Sequence, residues 1–298
     1  MPRKISGPCF AFASHKFVPQ PPFVHPETHT LLTREDHAYV SPRGEKFPDA
    51  RGIPCFLSTS IRQGAEEERG DFVNSVKTFL RRSPTLYRLL ILLISPVCFV
   101  GMTARKFVKQ FPEGAAILNV GAGVHRYCPD MVNLDIYPYR GIDVVADAMH
   151  MPYADNAFDG VICECLLEHV PEPERIVQEI LRVLKPGGRA FIVVPFLYPF
   201  HACPNDFHRW TKSGMRELCK GSIVEDIAPL SGPVTALVAQ LATLTAITLS
   251  FGSEKLYSMF SMILLPVFAP LKIFDFIVGK FPTAIHGAAS FTAVVRKQ

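Results

Sequence analysis

A short apolar stretch that runs directly into a pair of glycines is the feature that most constrains this fold. The chain from Ala115 reads AAILNVGAGVHRY, so Gly121 and Gly123 follow immediately on an apolar strand. Glycine is favoured at such a strand end because a side chain there would block close approach of the backbone to a ligand. A lone GxG indicates little, so its meaning depends on the segments that follow.

Predicted strands and helices alternate after these glycines. The segments VNLDI, IDVVADA, GVICEC and RAFIVVPF have the character of buried strands, whereas PERIVQEILRVLKPGG has the spacing of a helix. This alternation predicts a parallel sheet with helices on both faces. Ligands of such sheets bind at the carboxyl ends of the strands, where Gly121, Asp135 and Asp147 all fall. We therefore predict an α/β, Rossmann-like fold.

Four motifs between residues 115 and 230 occur in a characteristic order. They are ILNVGAG, Asp135 fourteen residues after Gly121, ADAMHMPYADNAFDGVICECLLEHV, and a helix that closes in VLKPGG. Together they resemble a class I S-adenosylmethionine-dependent methyltransferase of the type 11 family. The resemblance implies a seven-stranded sheet, an enzyme that transfers a methyl group, and S-adenosyl-L-methionine as cofactor.

The same resemblance implies where the cofactor binds. Gly121 and Gly123 would line the methionine moiety, and Asp135 would hold the ribose, because a carboxylate accepts hydrogen bonds from both hydroxyls at once. Asp147 and its neighbours would border the adenine. The family usually has an acidic residue at position 119 and often a glycine at position 125. The complete set of predicted cofactor-binding residues is Asn119, Gly121, Ala122, Gly123, Asp135, Asp147, Ala148, Met149 and Glu164.

Two other interpretations of the glycine motif stay open. A nicotinamide dinucleotide site expects GxGxxG with an acidic residue about 20 positions on. Here Arg126 occupies the third glycine position and Asp135 comes too early. A catalytically inactive scaffold with a methyltransferase-like fold is compatible with the departures from the family's motif.

The segment PFLYPFHACPNDFHRWT, after the predicted fifth strand, is rich in polar and aromatic residues. It resembles a signature of a subgroup of these methyltransferases that is often met near glycan or lipid assembly. Methyl transfer needs an acceptor held in line with the methyl group, and a base if the acceptor carries a proton. The alternative is structural, with Asp206 pairing with Arg209 and Glu168 bracing a helix. The candidate catalytic residues are His201, Asp206, His208 and His169, and Glu168, beside His169, is a further candidate base.

Neither metal nor nucleic-acid binding is predicted. His201, Cys203, Asp206 and His208 lie on a single loop, which makes a poor zinc site. The eight cysteines form no CxxC pair, and the net charge of +4 is small and dispersed. The first residues have no apolar core of the length that a secretory signal needs, so we expect a cytoplasmic protein with reduced thiols.

An apolar region near the carboxyl end separates this chain from a plain soluble enzyme. No charged residue occurs between Asp226 and Glu254, and a second apolar stretch, from Leu256 to Gly279, is interrupted by prolines and two charges. Because this insertion must leave and return at the carboxyl edge of the sheet, two membrane spans or none are allowed. We expect none, with helices lying on one leaflet and presenting the active site to a lipid-linked acceptor. A homodimer interface or a helical lid is the alternative.

The sequence thus predicts a peripheral or monotopic membrane protein with five parts. The stretch from Tyr39 to Leu57, YVSPRGEKFPDARGIPCFL, resembles the small β-domain of the activator subunit of tRNA and protein methyltransferases. The apolar helix has basic flanks and lies either in the membrane interface or on the sheet. The parts are an extended or disordered lead-in (1–28), a small metal-free β-module (29–60), the apolar helix (77–110), the methyltransferase domain (111–230 and 286–298) and a hydrophobic helical insertion (231–285).

Overall fold

The computed structural model describes residues 20–50, 52–57, 98–201 and 205–298. A small antiparallel sheet lies at the amino-terminal end, in the order β1-β2-β3-β4. Its strands are β1 (Thr33–Glu35), β2 (Ala38–Val40), β3 (Lys46–Ala50) and β4 (Ile53–Pro54). The predicted small β-module is therefore confirmed, while its resemblance to an activator subunit stays a prediction.

Aromatic side chains attach this module to the rest of the molecule. Phe23 forms an antiparallel bridge with Tyr153, and their ring centroids lie 5.5 Å apart. The Phe56 ring lies 4.9 Å from the Phe23 ring, and all three side chains are buried. Residues 20–28 are the described part of the segment predicted as an extended or disordered lead-in, and Phe23 and Val24 form β-bridges there, as an extended chain can. Burial of an aromatic ring stabilises the fold by roughly 1.5–3 kcal/mol, which favours this arrangement.

A seven-stranded sheet forms the centre of the molecule. Its strands, in chain order, are β5 (Ile117–Val120), β6 (Val132–Asp135), β7 (Val144–Val145), β8 (Phe158–Glu164), β9 (Leu184–Pro195), β10 (Ile223–Ser231) and β11 (Ser290–Arg296). Across the sheet they lie in the order β10-β11-β9-β8-β5-β6-β7. Strands β5 to β9 pair in parallel, and β11 is antiparallel to both β9 and β10. This confirms the predicted Rossmann-like fold with its seven-stranded sheet.

The helices begin and end where the sequence gives local signals. Helix α2 starts at Pro173, which suits a first turn because its missing N–H has no partner there. It buries Ile176, Ile180 and Val183 on one face. It stops at Val183, and the LKPGG that was expected to close the helix instead opens β9. Within the described ranges, the α-helices are α1 (Ala104–Val108), α2 (Pro173–Val183), α3 (Lys212–Leu218), α4 (Pro233–Ser250), α5 (Glu254–Phe268) and α6 (Asp275–Val278).

The helix predicted over residues 77–110 is described only in part, since residues 58–97 lie outside the described ranges. Phe99 forms an isolated antiparallel bridge with Ser231, and α1 is only five residues long. Phe107 of α1 is fully buried and stacks on Phe191 of β9 with ring centroids 5.4 Å apart. Helix α1 therefore covers the sheet.

The apolar insertion joins β10 to β11 at the carboxyl edge of the sheet. Ser231 pairs with Ser290, which in turn pairs with Pro195 at the end of β9. The buried Asp275 carboxylate accepts hydrogen bonds from the amides of Val234 and Thr235, which anchors the start of α4. The predicted apolar insertion before the last strand is thus confirmed.

The surface of this insertion is markedly apolar. Every residue of α5 is at least partly exposed, and Phe251, between α4 and α5, is 92% exposed. Within the described residues, the segments Pro233–Ser250 and Glu254–Val278 are each long and apolar enough to cross a membrane, judged by length and composition. Other exposed apolar residues are Leu237, Leu244, Ile247, Met262, Ile263, Val267, Ile273, Phe274, Phe276 and Ile277.

Candidate functional site

The two glycines after β5 have different surroundings. Both take the left-handed backbone conformation, with φ of +65° at Gly121 and +55° at Gly123. A Cβ atom on Gly121 would lie 3.0 Å from a methyl carbon of Leu166, whereas a Cβ on Gly123 would have no atom within 4 Å. Gly121 therefore permits close packing against Leu166, and Gly123 leaves open space above the loop.

Asp135 ends β6, the strand beside the glycine loop. One oxygen of its carboxylate accepts a hydrogen bond from the Gly123 amide at 2.8 Å, and the other accepts one from the Tyr137 amide at 2.9 Å. The residue is only 7% exposed. Hydrogen bonds to a charged group are stronger than neutral ones, so these amides fix the carboxylate firmly at the strand end.

Asn119, at the position where the resembled family has an acid, is used inside the protein. Its side-chain amide donates to the His125 carbonyl at 3.1 Å and to Asn133 Oδ1 at 3.2 Å, and the residue is buried. Asn119 therefore ties β5 to β6 and to the glycine loop. A direct contact with cofactor stays a prediction.

Asp147, Ala148 and Met149 form a tight turn after β7. The Asp147 carboxylate accepts a hydrogen bond from the Met149 amide at 2.9 Å, and its other oxygen lies 3.6 Å from His150 Nδ1. Ala148 and Met149 pack against the main hydrophobic core. The turn places an acidic side chain and two apolar ones together at the carboxyl edge.

Glu164 ends β8 and accepts a hydrogen bond from the Tyr127 hydroxyl. Burial raises the pKa of Tyr127, and the negative charge of Glu164 raises it further. Burial also raises the pKa of Glu164, against the opposing effect of the Tyr127 hydrogen bond. Tyr127 was not predicted as a site residue, although it follows the glycine motif by only four positions.

These residues fit S-adenosylmethionine, the cofactor that the sequence resemblance implies. Its ribose hydroxyls and its ammonium group are hydrogen-bond donors, and the carboxylates of Asp135, Asp147 and Glu164 are acceptors at the ends of neighbouring strands. The open space above Gly123 leaves backbone accessible between them. The acceptors and the open backbone thus lie on the same edge of the sheet.

A second group of polar side chains surrounds Glu168, in the 3-10 turn Leu167–His169 after β8. Its Oε1 lies 3.9 Å from His169 Nε2 and 3.8 Å from His201 Nε2. His201 Nδ1 in turn lies 3.5 Å from Asp206 Oδ2. His208 lies apart from this group, with its Nε2 3.4 Å from the Pro171 carbonyl. Three of the four candidate catalytic residues are thus brought together around a buried carboxylate.

Asp206 and Arg209 brace the loop that carries His201. The Arg209 guanidinium binds both oxygens of the Asp206 carboxylate and also donates to the carbonyls of Tyr198 and Pro199. Burial opposes ionisation of Asp206, but the hydrogen bonds from Arg209 and from the His201 amide outweigh it and lower the pKa of the carboxyl to about 2. Asp206 is therefore ionised and paired, as the structural interpretation of this segment expected.

Burial lowers the pKa of His201, but three other interactions outweigh it. The carboxylate of Glu168, the Pro199 carbonyl and the charge of Asp206 all favour the protonated ring, so the net pKa is raised. The charge of His201 therefore depends on these neighbouring groups. Its side chain is 35% exposed, so it also connects the buried Glu168 to solvent.

Residues 118–192 match the model of a family described as a methyltransferase domain. The matched segment includes the glycine loop, Asp135, Asp147, Glu164 and Glu168. This segment of the chain is therefore similar to a methyltransferase domain. The prediction from the sequence motifs is therefore confirmed for this segment.

The methyltransferase domain has relatives among curated proteins. The chain is 48% identical over 58 residues to a demethylmenaquinone methyltransferase from Desulfitobacterium hafniense, covering 19% of this chain and 23% of that protein. It is 46% identical over 95 residues to the methyltransferase GfsG from Streptomyces halstedii, covering 32% of this chain and 34% of that protein. The matches thus span a quarter to a third of these relatives.

A solved structure is also similar to this chain. It is phosphoethanolamine N-methyltransferase 2 from Haemonchus contortus, in complex with S-adenosyl-L-methionine. The sequence identity is 15%, the TM-score is 0.45, and the similarity covers 85% of this chain and 62% of that chain.

The matched part of the methyltransferase domain ends before the loop that carries His201. This loop is nevertheless bound to the matched segment, since the Phe207 amide donates to the Glu168 carbonyl at 2.7 Å. The Trp210 amide also donates to the carbonyl of Pro195, the last residue of β9, at 3.1 Å. The domain therefore places a predicted cofactor site and a second polar group side by side at one edge of the sheet.

Proposed function

We propose that this protein is an S-adenosylmethionine-dependent methyltransferase that associates with a membrane. Its methyl acceptor would be an oxygen or nitrogen of a lipid-linked, glycan or small-molecule compound. The observation that carries this proposal is the convergence of three features at the carboxyl edge of one sheet. They are the glycine loop with Asp135, the polar group around Glu168, and the base of the apolar insertion.

The residues of the chain have separable roles in this proposal. When bound, S-adenosylmethionine supplies an activated methyl group on a positively charged sulphur. Asp135 would accept hydrogen bonds from the ribose, and its own position is fixed by the Gly123 amide. Glu164 would offer a carboxylate near the sulphonium end, oriented by the Tyr127 hydroxyl. Leu166 would keep water away from the Gly121 side of the loop.

The acceptor would bind on the side of Leu166 that leads to Glu168. An acceptor O–H or N–H must give up its proton as its oxygen or nitrogen bonds to the methyl carbon, while the broken C–S bond leaves its electron pair on sulphur. The polar group of Glu168, His169 and His201 is a set of titratable side chains on that side. We therefore assign activation of the acceptor to this group rather than to Asp206 or His208.

Membrane association is supported by the position and the chemistry of the insertion. Helices α4 and α5 expose large apolar side chains, and they leave the sheet at the edge that carries the site. Helices lying in one leaflet would bury these side chains among lipid and hold the site at the membrane surface on its cytoplasmic side. The relative from Desulfitobacterium hafniense is named for demethylmenaquinone, a lipid-soluble compound, which supports an acceptor of that class.

The alternative function is a catalytically inactive, membrane-associated scaffold with the same fold. Asn119 favours it, because this position carries an amide where an acid is usual in the resembled family, and the amide is engaged by His125 and Asn133. A scaffold that has lost its cofactor would tolerate such a change. Cofactor binding followed by methyl transfer therefore separates the enzyme from the scaffold.

The test is a calorimetric titration of the folded protein with S-adenosylhomocysteine, the product of the cofactor. Saturable binding is expected, and it justifies incubation with labelled S-adenosylmethionine and fractionated lipid and glycan acceptors. Transfer of label to one fraction supports the enzyme. Binding without transfer to any acceptor favours the scaffold, and failure to bind rejects both cofactor and enzyme.

A further inference from the structure

The carboxylate of Glu168 is buried and accepts no hydrogen bond of normal distance and angle from the residues that the structure describes. The residue is 0% exposed, and neither of its side-chain oxygens has a hydrogen-bond partner among the residues that the structure describes. Buried polar atoms are almost always hydrogen-bonded, and an unpaired buried carboxylate is costly. A bound cation, or a proton shared with a neighbouring side chain, would remove this cost.

The two neighbouring histidines direct the same ring nitrogen at Glu168. The carbonyls of Asn205 and Pro199 lie 2.6 Å from His169 Nδ1 and 3.0 Å from His201 Nδ1. A carbonyl oxygen can only accept, so both Nδ1 atoms carry the proton in the neutral rings. Each Nε2 atom, which faces Glu168 Oε1, then presents a lone pair.

One further contact of His201 is compatible with this tautomer. Arg209 Nη2 lies 3.2 Å from His201 Nδ1, which would suggest the opposite arrangement if it donated there. However, Nη2 has two hydrogens, and it donates to the Pro199 carbonyl at 2.9 Å and to Asp206 at 2.6 Å. Both hydrogens are thereby used, so Nδ1 keeps its own proton.

The three ligand atoms are close to the spacing of a metal centre. One oxygen of Glu168 and one nitrogen each of His169 and His201 lie within 4.8 Å of one another. Bond lengths of about 2.0–2.2 Å around zinc place ligand atoms about 3.4 Å apart in a tetrahedral site. The Nε2 to Oε1 distances of 3.9 and 3.8 Å need to shorten by about half an ångström, and the two histidine nitrogens, which lie within 4.8 Å of each other, by up to about 1.4 Å. His201, whose side chain is 35% exposed, has room to move.

We propose that Glu168, His169 and His201 form a binding site for one divalent transition-metal ion of the zinc class. Two imidazoles and one carboxylate suit such ions better than magnesium or calcium, which prefer oxygen ligands. A backbone carbonyl on the second nitrogen of each histidine is the usual support of a metal-binding imidazole. Three protein ligands leave at least one coordination position open, as in catalytic zinc sites.

The role of the ion at this location rests on the proposed function. Binding of the ion by these three residues does not depend on that function. Leu166, two residues before Glu168, packs against Gly121 of the glycine loop, so the metal site adjoins the predicted cofactor site. The open position is available to an oxygen of the methyl acceptor. A proton shared between His201 and Glu168 is the competing way to neutralise the buried carboxylate.

The experiment uses the full chain after treatment with a chelator. Titration with Zn²⁺ by calorimetry is expected to show one site, and Co²⁺ is expected to give the visible absorption of a low-coordinate site. Glu168→Gln and His201→Ala should each weaken Zn²⁺ binding at least about 10-fold. His208→Ala, which changes a histidine in the same loop outside the group, is the matched control and should bind Zn²⁺ as the parent does.

Binding of S-adenosylhomocysteine by the same variants reports folding and keeps the two proposals separate. A parent protein that binds S-adenosylhomocysteine but no stoichiometric Zn²⁺ or Co²⁺ overturns the metal site and leaves the proposed function standing. Unchanged Zn²⁺ affinity in both variants also overturns it and favours the shared proton. If Glu168→Gln fails to fold, His169→Ala answers the same question, since that side chain is partly exposed.

Discussion

The backbone amide of Gly123 donates to the carboxylate of Asp135 across 2.8 Å, which joins the glycine loop to the end of β6. The loop keeps its left-handed glycine conformation at the point where this hydrogen bond forms. Asp135 therefore does two things: it holds the loop in place, and it supplies negative charge at the predicted ribose position. A variant that lacks this carboxylate therefore tests both roles while the rest of the fold is kept.

Asp135→Ala is expected to weaken the binding of S-adenosylhomocysteine by about 1–3 kcal/mol, the usual cost of losing hydrogen bonds to a charged group. Calorimetric titration gives the dissociation constant directly. Asp130→Ala removes an exposed carboxylate five residues earlier and should leave the constant unchanged. An Asp135→Ala protein that binds as tightly as the parent would falsify the ribose assignment.

Alanine at the two glycines should have different main effects. Both substitutions cost roughly 1–2 kcal/mol of stability because each φ is positive. At Gly121 the added Cβ also presses on Leu166, so overpacking should cost a further 1–3 kcal/mol or so. At Gly123 the added methyl group enters open space above the loop, so the larger effect should be on ligand binding.

Urea unfolding and ligand titration, measured on both variants, distinguish these effects. Gly121→Ala should have the lower free energy of unfolding. Gly123→Ala should lose more S-adenosylhomocysteine affinity than Gly121→Ala for the same loss of stability. Equal losses of affinity in the two variants would mean that Gly123 does not line the ligand.

Local pattern explains why much of the fold was predictable. Strand β5 is apolar and ends in glycine, and Asp135 follows at a spacing that places it at the next strand end. These signals lie within about twenty residues of one another, so the sequence alone connects them. The exit and return of the apolar insertion also followed from strand order, and Ser231 and Ser290 do pair at that edge.

Contacts between distant segments were not predictable from pattern. Phe23 packs on Tyr153 across 130 positions, and no periodicity in residues 20–28 signals it. His201 reaches Glu168 across 33 positions because the Phe207 amide binds the Glu168 carbonyl. A histidine on a loop and a glutamate after a strand carry no joint signal in one sequence, so the loop residues considered alone do not indicate the metal site proposed above.

The Asp206–Arg209 pair should make stability depend on pH in acid. Burial opposes ionisation, but hydrogen bonds from Arg209 lower the folded-state pKa of Asp206 from 3.8 to about 2. A lowered pKa stabilises the fold above the unfolded value and loses that contribution as pH falls through the folded value. The contribution should reach at most about 2 kcal/mol near neutral pH and vanish between about pH 4 and pH 2.

Urea unfolding of the parent and of Asp206→Asn between pH 7 and pH 2.5 measures this contribution. The difference in unfolding free energy between the two proteins should shrink steadily below pH 4. Glu217→Gln, which removes an exposed carboxylate paired with Lys220, is the control and should show almost no such trend. A pH-independent difference would mean that Asp206 acts through its shape and not through its charge.

The apolar insertion should bind vesicles through side chains such as Leu244 of α4, which is 61% exposed. Transfer of a leucine side chain into lipid is worth roughly 1.5–3 kcal/mol, so Leu244→Glu should lower vesicle affinity about 10-fold or more. Leu31→Glu is a matched control, because Leu31 is also 61% exposed but belongs to the amino-terminal module. Co-sedimentation with vesicles that contain phosphatidylglycerol gives the partition coefficient.

If Leu244→Glu leaves partitioning unchanged but converts a dimer to a monomer in light scattering, these helices form an interface between two copies. The lipid-linked acceptor then loses its main support, because the site would no longer be held at a membrane surface.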